Sequence, residues 1–237
     1  MKTQKMKAVV RKTLLASLLA ATAGQAMAAG DSIDIKVIGQ IVPAACAASV
    51  TGGGTVDYGT MKTSALSSDD FTMLDVKTLD LNITCEAPVK IALKTTDMRS
   101  DSVIALTGKN WDMKAGSVAA SAQDFGLGMA NGKNIGAWAM WMEPASIKAD
   151  GNSVDALDTT GTPTSSSTWT KSATGASWLS SSGAYKSWGA TGTTTPVALT
   201  TLTSTLSIQA GINKASELDL TKPVTLDGLA TIQVYYL

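Results

Sequence analysis

The chain has 237 residues, with 19 Lys and Arg against 19 Asp and Glu, two cysteines and no histidine. The missing imidazole removes Ser/His triads, Cys/His nucleophiles and the commonest metal ligand together, so neither an enzyme of those classes nor a bound cofactor is expected. A glycosidase working with carboxylates alone remains open on composition.

The first 28 residues place Lys2, Lys5, Lys7, Arg11 and Lys12 before the apolar run Thr13 to Ala23, which Ala26-Met27-Ala28 closes with a small-x-small pattern. This predicts a secretory signal, cleaved before Ala29. The 11-residue run is well short of the roughly 20 residues a helix needs to cross a bilayer, and no later segment is longer. Export without membrane insertion is therefore expected. Without the signal, 14 Lys and Arg face 19 Asp and Glu, a net charge of −5 that argues against a nucleic-acid partner.

From Ile33 to Val42 apolar and polar residues alternate: Ile33, Ile35 and Val37 on one side, Asp34 and Lys36 on the other, with Gly39 and Ile41 continuing the apolar register. A strand is predicted here. Extended, Ile33 to Ala45 would span about 43 Å, roughly twice a typical strand. Two readings stay open on the residues alone: an ordinary first strand of a self-contained sandwich, or two strands fused end to end, the first without a partner in its own chain.

Further strands are predicted at Thr55–Tyr58, Leu79–Cys85, Val89–Lys94, Ile135–Met142, Leu202–Ile212 and Ala230–Tyr236. Asn131-Gly132, Asp150-Gly151 and Asp227-Gly228 supply turn signals that tolerate positive φ. Asp69-Asp70 reads as a solvated pair and Gly52-Gly53-Gly54 as a flexible turn, since no Lys-Ser/Thr follows the glycines. Trp138 and Trp141 fall on opposite faces of their strand, so at most one is expected in the core.

Residues 159–195 shift to Ser, Thr, Gly and Ala around Trp169, Trp178, Tyr185 and Trp188. This stretch reads as a long loop-rich insertion, whose tryptophans either pin the loops or offer a stacking surface to glycans. Cys46 and Cys85 both lie in the exported part, where an oxidising compartment allows a structural bridge. The fold class is an all-β antiparallel sandwich, a single domain over 41–237 preceded by an extension at 29–40.

These residues resemble the subunits of chaperone–usher fimbriae of Gram-negative bacteria. The resemblance is carried by Ile33, Ile35, Val37, Gly39 and Ile41 before Cys46, by "GGTVDYGTM" (53 to 61), by "LNITCEAP" (81 to 88) and by "DGLATIQVYYL" at the end. The middle segments "DFGLG", "NGKNIGAW" and "ADG" are similar to a fimbrial-type family known mainly as a domain of unknown function. The glycine usual in pilins before the terminal strand is Val224 here, with Gly228 nearer the end.

The resemblance implies an incomplete immunoglobulin-like sandwich whose groove lies beside Ala230, Ile232, Val234, Tyr236 and Leu237. It also implies partners: a periplasmic chaperone, an outer-membrane usher, and neighbouring subunits that donate the strand Ile33–Ile41. The implied role is a structural subunit at the cell surface. The alternative is a minor or tip-proximal adhesin binding glycans through Trp169, Trp178 and Trp188.

Overall fold

The computed structural model describes residues 36–40, 45–113, 116–121, 124–164, 166–173 and 177–237. The predicted signal and Ile33, Ile35 and Ile41 lie outside them. Residues 1–41 and 42–237 are separate compact units. In the first, residues 36–40 carry no regular secondary structure, so the strand predicted across them is not present there. Val37 and Ile38 are 92% and 80% exposed.

The second unit is all-β, without an α-helix among the described residues. Its principal strands are β1 (Cys46–Val50), β2 (Lys77–Val89), β3 (Ile91–Asp97), β4 (Asn110–Met113), β5 (Gly116–Ala119), β6 (Gly136–Met142), β7 (Asn152–Thr159), β8 (Tyr185–Ala190), β9 (Leu199–Ile212) and β10 (Ala230–Tyr236). One sheet runs β1-β2-β9-β6 and the other β7-β8-β3-β10, all antiparallel. The short strand Lys148–Ala149 pairs with both β9 and the start of β7 and joins the two sheets.

Period-two alternation sorts the side chains. Leu81, Ile83, Leu202, Leu206 and Met140 from one sheet meet Ile91, Leu93, Ala156 and Trp188 from the other in the central core. The opposite face of β6 carries Ala137, Ala139 and Trp141, which are buried with Trp111 under the β4–β5 hairpin. Trp141 is thus fully buried while Trp138 is partly buried inside, so both tryptophans join a core. A flat two-faced strand can do this because each face has its own cover. On the outer face of the second sheet, Ala92, Leu157, Trp169 and Tyr185 form a smaller cluster.

Two departures from the predicted elements matter. Thr55–Tyr58 is not a strand. And the 159–195 segment is not all loop, since β8 is hydrogen-bonded between β7 and β3 in the interior of its sheet. Two of its buried polar side chains have tertiary partners: Lys186 Nζ lies 2.9 Å from Asp158 Oδ1 and Ser187 Oγ donates to Ile91 O at 2.7 Å. Burial of such groups is tolerated when each finds a partner.

The turns divide in the same way. Asn131-Gly132 and Asp150-Gly151 have the positive φ their sequences predict. Asp227-Gly228 does not turn. It continues an inward alternation of Val224, Leu226 and Gly228 into β10, because the Arg99 guanidinium grips Asp227 (Nε–Oδ2 2.9 Å, Nη2–Oδ1 3.1 Å) and Gly228 lies against Trp138. A Cβ at Gly228 would come 2.7 Å from Trp138 Nε1.

Candidate functional site: an apolar groove between two free edges

Among the described residues, β1 pairs only with β2 and β10 only with β3. These two strands are the free edges of the two sheets, and the space between them is open. A cavity of about 1150 Å³ lies there, lined by Val50, Leu81, Leu206 and Ile208 on one wall and by Ala230 and Ile232 on the other. Its volume exceeds the roughly 300–1000 Å³ of ordinary small-molecule pockets.

The core is unevenly covered, and the pattern marks this side. Val50, Val56, Leu79, Trp138, Ala230, Ile232 and Val234 pack against the central core yet are only partly buried, whereas Ile83, Leu93, Trp188, Leu202 and Leu206 are fully buried. The predicted edge residues Ala230, Ile232 and Val234 point inward on alternate positions of β10, Tyr236 is 45% exposed, and Leu237 donates its backbone N–H to Lys90 O at 3.0 Å. An edge strand with unpaired backbone groups and an apolar inner face is a template for another strand.

Cys46 and Cys85 form a disulfide between directly opposed positions of β1 and β2, as the compartment reading allowed. The bond fixes the β1 wall. Farther along, residues 55–66 carry Val56, Tyr58 and Leu66 to the cavity wall. Tyr58 Oη accepts from Ala210 N (3.2 Å) and donates to Ile208 O (3.4 Å), where the β2 ladder on β9 has ended and the pairing of Thr72–Met73 has not begun. A tyrosine hydroxyl here satisfies a backbone gap that a strand would otherwise fill, and burial pushes its pKa up to about 12. Sequence reading placed Tyr58 at a strand end; nothing local signals a hydroxyl bound to an edge 150 residues away.

The tryptophans of 159–195 do not form an exposed platform. Trp188 is fully buried and Trp169 is 6% exposed; the side chain of Trp178 lies outside the described residues. Two buried carboxylates accept from indoles, Asp124 from Trp111 (3.1 Å) and Glu143 from Trp141 (2.9 Å), but both serve the core under the β4–β5 hairpin. Among the described residues no three His, Cys, Asp or Glu side chains converge to hold a metal ion.

A family model for a protein of unknown function, DUF1120, matches residues 35–139, which include β1 to β5 and the greater part of β6. Protein GltF of Escherichia coli (strain K12) is 36% identical over 244 residues, covering 94% of this chain and 96% of GltF. The chain belongs to the DUF1120 family. YhcF of the same organism, carrying the description uncharacterized, is 28% identical over 218 residues, or 87% of this DUF1120 chain and 90% of YhcF.

Proposed function

We propose that this protein is a non-enzymatic structural subunit of a bacterial surface fimbria, exported through the periplasm and joined to its neighbours by donated strands. A periplasmic chaperone occupies the groove first, an outer-membrane usher receives the subunit, and the 29–40 extension of the next copy then takes the chaperone's place. The observation that carries the reading is the pair of free edges, β1 and β10, flanking an apolar cavity. Strand addition to such an edge uses main-chain hydrogen bonds for affinity and alternate side chains for specificity.

The occupant is a segment of a second copy. Residues 33–41 offer the alternation that a two-walled apolar slot requires, and Val37 and Ile38 hold their apolar side chains in solvent. If Ile33, Ile35, Val37 and Ile41 each gain about 1.5–3 kcal/mol on burial, the donated strand contributes about 6–12 kcal/mol before entropic costs. That is comparable with the about 5–15 kcal/mol margin of a whole domain. An empty groove therefore leaves the subunit weakly stable, and assembly completes folding. The adhesin alternative draws no support from Trp169 and Trp188, whose rings are covered.

The test is to express residues 29–237 with and without a candidate periplasmic chaperone. Protection from proteolysis by the chaperone, followed by its displacement by a peptide of residues 29–45, is the expected result. A chain that is stable and monomeric alone, and that ignores the peptide, would refute the reading.

A further inference from the structure

The groove is not equally open along its length. Its cavity is lined by Ala48, Ser49 and Val50 on β1 and by Ala230, Thr231 and Ile232 on β10, but not by Cys46, Val234 or Tyr236. At that far end the two free edges are drawn together: Tyr236 Oη accepts a hydrogen bond from the backbone N–H of Cys46 at 2.8 Å.

The Cys46 N–H is a particular kind of donor. Cys46 lies directly opposite Cys85 with a Cα–Cα distance of 3.9 Å, the close spacing of a non-hydrogen-bonded antiparallel pair, in which both residues turn their N–H groups away from each other. Its N–H therefore faces away from β2, along the free edge that an added strand would use. The Tyr236 hydroxyl stands where the carbonyl of an incoming strand would stand.

We propose that Tyr236 is a self-closing latch: its hydroxyl occupies the last donor of the β1 edge and holds one end of the groove shut until an entering strand displaces it. This rests on the donor-strand reading above. The latch suits reversible use. Tyr236 is 45% exposed, so its hydroxyl passes to water on release, while the Cys46 N–H passes to the new strand. Strand entry then begins at the open end, around Ala230 and Val50, and finishes by breaking the latch. The free subunit hides its own edge, which also protects it from pairing with the wrong strand.

The test compares capture of a fluorescent peptide of residues 29–45 by the mature chain and by its Tyr236→Phe variant in stopped flow. Losing one hydrogen bond of ordinary net strength predicts capture about three- to tenfold faster in the variant, with its thermal midpoint lowered by only about 2–5 °C because the ring stays in place. Tyr236→Leu, which also lacks the hydroxyl, is expected to show the same direction and guards against an effect peculiar to one variant. Equal or slower capture by both variants, with the wild type capturing normally, overturns the latch and leaves the donor-strand reading intact. Capture by no form, wild type included, overturns both.

Discussion

Replacing Val37 by Asp separates the folded chain from its assembly. Val37 is 92% exposed, so Val37→Asp should change the unfolding free energy by no more than about 0.5 kcal/mol, the range for surface substitutions. In the proposed assembly the same position would face the apolar wall of a neighbour's groove. There the variant loses about 1.5–3 kcal/mol of valine burial and adds a carboxylate without a partner, which itself costs several kcal/mol. A penalty of at least about 3 kcal/mol corresponds to more than a hundredfold in Kd. Lys36→Asp provides the control, since period-two alternation turns residue 36 away from the groove. The assay is fluorescence anisotropy of peptides of residues 29–45 titrated with the mature chain, beside urea unfolding of the full-length variants. Equal weakening by both substitutions, or marked destabilisation of the free chain by Val37→Asp, would refute the reasoning.

Other outcomes follow from the core. Removing the disulfide by Cys46→Ala with Cys85→Ala, which opens a separation of 39 residues, should cost about 4 kcal/mol by loop-closure entropy, read as a lowered urea midpoint. Tyr58→Phe leaves Ala210 N and Ile208 O without their partner and should cost about 1–3 kcal/mol in the same measurement. Asp124 is buried with Oδ1 unpartnered, and burial raises its pKa from 3.8 to about 6. The folded chain thus holds that proton more tightly than the unfolded chain, and stability falls as pH rises from about 4 to 6, by about 3 kcal/mol. Asp124→Asn should flatten that decline, checked by urea unfolding at pH 4 and pH 7.

What could be read from residues alone depended on whether a pattern was satisfied locally. The terminal strand Ala230–Tyr236 was legible because its alternation is uninterrupted and one face meets the core. Asn131-Gly132 and Asp150-Gly151 were legible because positive φ is an intrinsic preference of those residues. Asp227-Gly228 carries the same preference but is overruled by Arg99 and Trp138, neither of which is near it in sequence. Strand β8 was missed because "YKSWGA" looks too polar for an interior strand until Asp158 and Ile91 O are brought to it. The disulfide partners and the β10 wall of the groove were identifiable, whereas β1 (Cys46–Val50) was not, its small residues giving no apolar alternation. The groove itself was not, since an unpaired edge is a property of what fails to lie beside a strand, and that is decided by the whole sheet order.

The cross-link between β1 and β2 has a mechanical consequence. One side of the slot is welded to its sheet by a covalent bond, while β10 is held to β3 and the core by hydrogen bonds and packing without a covalent link. In the proposed assembly the opening would behave like a doorway with one fixed jamb and one that can swing, the widening falling on the C-terminal side. Reducing conditions would loosen the fixed jamb as well, making the aperture's shape depend on the oxidation state of its surroundings.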